Sequence, residues 1–349
     1  MKKKFITSIA VLSFFFNACN EDVINLVPIG DTEGGYFQNE TQFQEAIAGI
    51  YQKLCFFYAF WGDAARPIST VIQLPGDDIT SVGGSALENF VQLNGGDGQV
   101  GRYYQVAYQL IGRANIVLQK IDEAGDNAYK SYPELKNRNK GEALFIRAYM
   151  HWGLWNVYGT APIANKRIQS LEESLLPSSK GTELLDQAIT DLTEAIELLP
   201  DSWDADNLGR VTKNAARGLR GKCLMFRGTV NKTNTDFTSA LADFNAIQGR
   251  ALTARYGDNF EGATDNNIES LFEYQAQGNT TTNAYLTMPP NWGNDGFAVI
   301  GEIGHYIGFF NQMPSWIGNR NYTATEPIKN AYEEGDPDGT TISTWRPEI

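Results

Sequence analysis

Residues 140–163 constrain the fold of this chain more than any other stretch, and they read KGEALFIRAYMHWGLWNVYGTAPI. Apolar side chains recur there at helical spacing, which places them on one face of a helix: Leu144, Ala148, Trp152 and Trp155. Neighbouring aromatic residues widen this stripe, so the helix is predicted to be largely buried. Gly159 can adopt the left-handed conformation that ends a helix, and Pro162 cannot continue one. The stretch therefore predicts a central packing helix with a sharp end.

The same spacing recurs along the chain and predicts further amphipathic helices. One begins near Thr41, and two more cover residues 101–123 and 181–200. Two others follow between Arg210 and Gln248. Each of these segments carries a broad apolar stripe, so each is expected to pack against a neighbouring helix.

A weak internal repeat suggests how these helices are arranged. An Ala-Ile pair at 195–196 recurs at 246–247, 51 residues later, whereas tetratricopeptide units repeat about every 34 residues. An inserted loop at 201–207 accounts for the extra length. We therefore predict a mainly α fold: a tetratricopeptide-like α–α helical repeat scaffold with long irregular ligand-binding loops and little strand. Alternation over residues 268–275 is the clearest strand signal.

Composition and charge exclude several classes of protein. Hydrophobic residues make up 42 % of the chain and charged residues 20 %, which is typical of a globular protein. The formal net charge is -13, and no basic run lies outside the N-terminus. Because the phosphate backbone would be repelled, no nucleic-acid partner is expected.

The N-terminus carries the features of an exported protein. Residues 1–18 combine three lysines with an apolar stretch that is too short to span a membrane, which predicts a signal peptide. Ala18 directly precedes Cys19, so Cys19 is predicted to be the lipid attachment site. The alternative is an ordinary secreted protein with an incidental cysteine. Residues 19–40 contain Gly and Pro without periodicity and are predicted to form a tether.

Two motifs resemble those of a known family. The first combines Ala143, Phe145, Arg147, Ala148 and Tyr149 in AxFxRAY, followed by YGxxPI. The second is YxxIxRAN, which ends at Asn115. Together they resemble the SusD/RagB family of outer-membrane nutrient-binding lipoproteins. The resemblance implies a lipid-anchored protein on the exterior face of the outer membrane, a glycan or peptide ligand, and a SusC-like TonB-dependent transporter as partner.

The resemblance also implies a domain organisation. Residues 41–349 are expected to form a single SusD-like domain, with its helical scaffold over about 41–275 and a loop-rich ligand region over about 276–325. Members of the family are normally longer, so the chain is expected either to be truncated at its C-terminus or to have a reduced one.

The residues that would support catalysis are sparse. His151 and His305 are the two histidines, and neither lies near a Cys, His or Asp group with metal-ligand spacing. A GxGxxG match at 96–101 lacks the βαβ context of a dinucleotide site. No cofactor, metal or enzymatic activity is expected, with a surface glycan hydrolase as the alternative. Cys55 and Cys223 are predicted to be buried free thiols, and a disulfide between them is the alternative.

The predicted ligand site is a set of aromatic and amide side chains in the Gly-rich loops. Aromatic rings can stack on the apolar C–H faces of sugars, while glycine lets a loop approach a ligand closely. The candidates combine five such rings with one amide, and about half of the loop aromatics are expected to pack in the core instead: Trp292, Trp316, Tyr306, Tyr285, Asn294 and Trp61.

Overall fold

The computed structural model describes residues 33, 35–58, 71–72, 74–76, 79–81, 85–259, 264–275 and 322–324. The chain divides into two units, Met1–Gln38 and Asn39–Ile349. Within the first unit, the rings of Tyr36 and Phe37 meet edge to face with centroids 4.8 Å apart. The second unit contains all the secondary structure described below.

Helices dominate the second unit. They are α1 (Glu40–Tyr58), α2 (Ala86–Asn89), α3 (Gly98–Ala124), α4 (Glu134–Tyr158), α5 (Leu171–Ser174), α6 (Glu183–Leu198), α7 (Lys213–Asn231) and α8 (Asn234–Asn245). Short 3₁₀ turns lie at Gly125–Tyr129, Ala205–Asn207 and Tyr256–Asn259. Strands β1 (Ile79–Ser81) and β2 (Tyr322–Ala324) pair antiparallel, with Thr80 opposite Thr323.

The long helices pack as sequential neighbours, as helical repeats do. Helix α4 packs against α3 and α6, while α7 packs against α6 and α8. Helix α1 contacts both α3 and α4. This stacking confirms the predicted mainly α, tetratricopeptide-like scaffold. No helix in the described ranges has both the length and the apolarity needed to cross a membrane.

Local sequence explains where the helices begin and end. The Asp97 carboxylate accepts hydrogen bonds from the amides of Gln99 and Val100, so the GxGxxG segment opens helix α3. The Thr212 hydroxyl caps α7 in the same way. Helix α4 ends at Gly159, whose φ of 72° lies in the left-handed region. The helix end predicted at this glycine is therefore confirmed.

The core contains the apolar stripes of the long helices. The apolar stripe of α1 is fully buried: Phe43, Ile47, Ile50 and Leu54. On α4, Leu144 and Ala148 are buried as predicted, whereas Trp152 and Trp155 remain partly exposed. The two tryptophans still pack against other rings, Trp152 against Tyr149 and Trp155 against Phe226, but they are less buried than the first half of the stripe.

Two further predictions from the sequence can be compared with the structure. Residues 268–275 were predicted to form a strand, but they adopt turns and irregular backbone. The prediction failed because no described strand lies beside them to complete a ladder.

Cys223 is a buried free thiol, as its apolar context predicts, and its burial raises its pKa to about 12. The side chain of Cys55 lies outside the described residues.

Both family motifs contribute to one buried network that holds the chain after α4. The guanidinium of Arg147 donates to both carboxylate oxygens of Asp191, at 2.8 and 2.7 Å, and to the Asn115 side chain at 2.8 Å. Asn115 in turn donates to the carbonyls of Ala164 and Lys166, each at 2.9 Å. Burial raises the pKa of Asp191, and the hydrogen bonds from Arg147 oppose that rise.

Candidate functional site

The ligand residues predicted from sequence lie outside the described residues, as does the predicted lipid attachment site. These are Trp61, Tyr285, Trp292, Asn294, Tyr306, Trp316 and Cys19. Their placement stays a prediction. The described residues nevertheless contain two cavities that bear on ligand binding.

The larger cavity is a groove between α4, α7 and residues 269–273, which we call the aromatic groove. Its volume is about 840 Å³. Tyr149 from α4, Phe226 from α7 and Phe272 form half-buried parts of its wall. Met225 and Thr229 lie exposed at its edge. The groove is therefore open to solvent and lined mainly by apolar side chains.

Aromatic side chains are layered along the α4 side of this groove. The rings of Tyr149 and Trp152 are stacked, with centroids 5.8 Å apart and planes 12° apart. The centroid of the Phe145 ring lies 6.3 Å from that of Tyr149. Phe145 also packs edge to face against Phe272, with ring centroids 5.5 Å apart. The Lys222 ammonium lies 4.7 Å from the centre of the Trp152 ring, within the range of a cation–π contact. These contacts hold the Tyr149 ring in place.

Polar groups on the opposite side of the groove are fixed by hydrogen bonds. The Glu269 carboxylate accepts from the Asn259 amide at 3.0 Å and from the Thr253 backbone amide at 3.1 Å. These bonds lower the pKa of Glu269, so it is a carboxylate at neutral pH. The Asn259 side-chain oxygen accepts from Asn267 at 3.0 Å. The groove thus combines an apolar wall with an ordered acceptor.

The second cavity lies between α1, residues 207–210 and residues 272–275, and we call it the amide pocket. Its volume is about 500 Å³. Four side-chain amides line it, together with the ring of Tyr51: Gln44, Gln52, Asn207 and Gln275. Gly209 is required at its edge because its φ is +89° and a Cβ there would overlap Gln275.

A buried ion pair stands behind the amide pocket. Arg210 donates to both oxygens of Glu142, at 2.8 and 2.6 Å, and to the Gln44 oxygen at 2.6 Å. The Tyr51 hydroxyl donates to Glu142 at 2.7 Å. Burial raises the pKa of Glu142. Arg210 also lies 4.3 Å from the centre of the Trp203 ring. Because these groups already hydrogen-bond one another, the ion pair fixes the pocket wall and leaves few hydrogen-bonding positions for a ligand.

His151, the histidine within the described residues, is enclosed by the scaffold. His151 is fully buried, and burial, followed by the nearby charge of Arg147, lowers its pKa to about 3. A neutral, enclosed imidazole cannot reach a substrate. Among the described residues, no group of three or more His, Cys, Asp or Glu side chains is arranged to hold a metal ion.

Comparison with known proteins shows which family this scaffold resembles. A family model described as "SusD-like_3: Starch-binding associating with outer membrane" matches residues 80–225. Over these residues the chain is similar to SusD-like proteins. The match includes both motifs that carry the resemblance, and it confirms the SusD/RagB prediction.

Individual relatives are similar to this chain at low identity. The chain is 24 % identical over 194 residues to SusD-like protein P38 of Formosa agariphila, which covers 52 % of this chain and 36 % of that protein. A laminarin binding SusD-like protein has a similar fold, with a TM-score of 0.58 at 22 % identity over 67 % of this chain and 51 % of that one.

A second solved structure is surface glycan-binding protein A from Bacteroides thetaiotaomicron in complex with laminarihexaose. It matches with a TM-score of 0.56 at 22 % identity over 68 % of this chain and 49 % of that one. This chain therefore spans about half the length of these solved structures and just over a third of the curated relative.

The aromatic groove was not predicted from sequence. Tyr149 belongs to the first motif, but its spacing indicated packing and gave no sign of an adjoining cavity. The other walls lie far along the chain, since Phe226 and Phe272 are distant from Tyr149 in sequence. Phe272 lies in the segment that was predicted to be a strand. Its aromatic ring was the one feature of the sequence there that could have indicated a binding surface.

Proposed function

We propose that this chain is a cell-surface lipoprotein that binds oligosaccharides or polysaccharides and passes them to a SusC-like TonB-dependent transporter in the outer membrane. The observation that carries this proposal is the match of residues 80–225 to a family described as starch-binding and associated with the outer membrane. The laminarin-binding and laminarihexaose-bound neighbours support a glycan as the ligand class.

The proposed role is binding without catalysis. Glycoside hydrolysis requires two carboxyl groups facing each other across the sugar. In the described part, Glu142 is buried against Arg210 and Asp191 against Arg147. Neither carboxylate is available to a substrate. A peptide or another nutrient is the alternative ligand for the same architecture.

The proposed ligand contacts are the loop residues Trp292, Trp316, Tyr306, Tyr285, Asn294 and Trp61. Their rings supply flat apolar surfaces for the C–H faces of sugars, and their polar atoms can hydrogen-bond hydroxyl groups. Trp292 and Trp316 rank first because Gly, Pro, Asn or Ser residues lie close to each of them in the sequence.

Affinity electrophoresis tests the ligand class. The purified chain is run through native gels containing laminarin, starch, xylan or no polysaccharide. We expect at least one polysaccharide to slow the chain without being shortened by it. The Trp292→Ala/Trp316→Ala double variant should lose this retardation, and Tyr132→Ala, which removes an aromatic that is 58 % exposed, should keep it. Absence of retardation in every gel would overturn the proposal.

Membrane fractionation tests the proposed anchor. Cells expressing the full chain should retain it in the outer-membrane fraction, because the lipid on Cys19 holds it there. A Cys19→Ala variant should leave that fraction. If the variant remained with the membrane to the same extent, the lipid anchor would be excluded.

The transporter step requires its own experiment. Co-expression with a SusC-like transporter, followed by purification through a tag on this chain, should recover both proteins from detergent extracts. Recovery of the transporter without this chain, under conditions in which Cys19 is lipidated, would contradict the delivery role.

A further inference from the structure

We propose that the aromatic groove is a saccharide-binding surface built on the helical scaffold from residues other than the proposed loop contacts. This inference rests on the proposed glycan-binding function and adds a second set of residues that hold a sugar chain. Its critical residues are Tyr149, Phe226, Phe272 and Glu269.

The size and construction of the groove fit an oligosaccharide. Its volume of about 840 Å³ lies within the range of roughly 300–1,000 Å³ typical of small-molecule sites. Two of its walls are long helices, α4 and α7, and α4 is held on both sides by packed neighbours. A surface carried on helices is more precisely positioned than one carried on loops.

The apolar wall matches the apolar faces of sugar rings. Tyr149 presents a ring whose orientation is fixed by stacking on Trp152 and by its neighbour Phe145. Phe226 and Phe272 add flat surface from two other elements. A pyranose ring can lie against such surfaces, because its axial C–H groups form an apolar face.

The polar side of the groove matches sugar hydroxyl groups. Glu269 is already oriented by Asn259 and Thr253, and a carboxylate still has lone pairs to accept hydroxyl hydrogens. Lys222 and Thr229 line the groove as exposed donors. The combination of ordered acceptors and exposed donors suits a neutral, hydroxyl-rich ligand.

The charges on the groove argue against an anionic ligand. Glu269 and Glu273 line it together with Lys222, so the lining carries more acidic than basic groups. A phosphate or sulfate would be repelled by both carboxylates. The amide pocket is a weaker candidate for saccharides, because Gln44, Asn207 and Arg210 already bond one another there.

Calorimetric titration of the full chain with laminarihexaose, maltohexaose and xylohexaose tests the inference. For the hexasaccharide that binds, Thr229→Trp should weaken affinity at least tenfold, because an indole from this exposed edge position would fill the groove. Tyr149→Ala should weaken it to a similar degree by removing part of the aromatic wall. Glu269→Gln should cause a smaller loss, about two- to fivefold, since an amide replaces an acceptor oxygen with a donor.

Matched controls separate binding from folding. Tyr132→Ala removes an exposed tyrosine on the same chain and should bind as the wild type does. Circular dichroism and thermal unfolding should show that Thr229→Trp keeps the native fold, because Thr229 is exposed. A folded Thr229→Trp protein with wild-type affinity would overturn the inference.

The outcomes distinguish this inference from the proposed function. If the Trp292→Ala/Trp316→Ala variant loses binding while Thr229→Trp and Tyr149→Ala keep wild-type affinity, the glycan-binding function stands and the groove proposal fails. If the wild-type chain binds none of the three hexasaccharides and no gel retards it, both fail. Loss of affinity in the groove variants supports the groove proposal whatever the loop variant does.

Discussion

Helix α4 presents two different surfaces to the rest of the molecule. Arg147 and Tyr149 are two residues apart, so they project from nearly opposite sides, about 200° around the helix. The Arg147 side is buried and its polar groups are bonded to Asp191 and Asn115. The Tyr149 side faces a groove that remains open to solvent.

This difference separates the roles of two residues within one motif. Arg147 bonds to atoms from three other segments of the chain, namely Asn115, Asn165 and Asp191. Tyr149 stacks with Phe145 and Trp152 and lines the aromatic groove. The motif that identifies the family therefore holds the fold through one residue and borders a cavity through another.

Removing the buried guanidinium should have the largest effect on stability. Arg147→Ala leaves the carboxylate of Asp191, which is 3 % exposed, without its ionic partner. Breaking such a pair typically costs about 3–5 kcal/mol. Urea denaturation followed by circular dichroism should show this loss at pH 7. A change below about 1 kcal/mol would mean that the network does not hold the scaffold.

Truncating the aromatic side should have a smaller effect on stability. Tyr149→Ala removes a half-buried ring, and we expect a loss of about 1–2 kcal/mol in the free energy of unfolding, below the value for a fully buried aromatic. The same urea titration measures it. If Tyr149→Ala were as damaging as Arg147→Ala, the two sides of α4 would not differ as described.

The buried His151 should make stability depend on pH. Its pKa is about 3 in the folded state and about 6.5 when unfolded, so the unfolded chain binds the extra proton between these values. Stability is therefore fully present above about pH 6.5 and falls as pH decreases, by at most about 1.4 kcal/mol per pH unit. A His151→Leu variant should lose this part of the slope between pH 6.5 and 4.5. Parallel curves for the two proteins would contradict the assignment.

An exposed ion pair should have the smallest effect. Lys136 lies 2.7 Å from Asp126, whose side chain is 96 % exposed. Solvent screens such pairs strongly. Lys136→Ala should leave the urea midpoint unchanged within error at 0.15 M salt. A clear shift of the midpoint would show that exposed ion pairs also stabilise the fold, which would contradict the assignment of electrostatic stability to the Arg147 network.

Much of the scaffold could be predicted from sequence because helix signals are local. The spacing of apolar residues in α1 and the glycine at 159 each specify structure through near neighbours. The Arg147–Asp191 pair could not be predicted, since 44 residues separate the partners. Their meeting depends on how α4 packs against α6, which periodicity does not encode.

The site was less predictable for a related reason. Apolar residues surround much of α4, so the sequence did not reveal which of them would face another helix and which a cavity. Trp152 was assigned to the packed stripe, yet it lies partly exposed beneath Lys222. Phe272 was assigned to a strand, yet it lines both cavities from irregular backbone. A cavity forms where several segments that are distant in sequence pack together without filling the space between them.

The most direct test of this account measures stability and binding on the same two variants. Arg147→Lys keeps the charge but loses the bidentate geometry, and Thr229→Trp fills the groove edge. We predict that Arg147→Lys lowers the free energy of unfolding by about 1.5–3 kcal/mol and leaves hexasaccharide affinity unchanged at 20 °C. Thr229→Trp should lower affinity at least tenfold and leave stability unchanged. Equal changes in both quantities for both variants would contradict the division of α4 into a fold-holding side and a ligand-facing side.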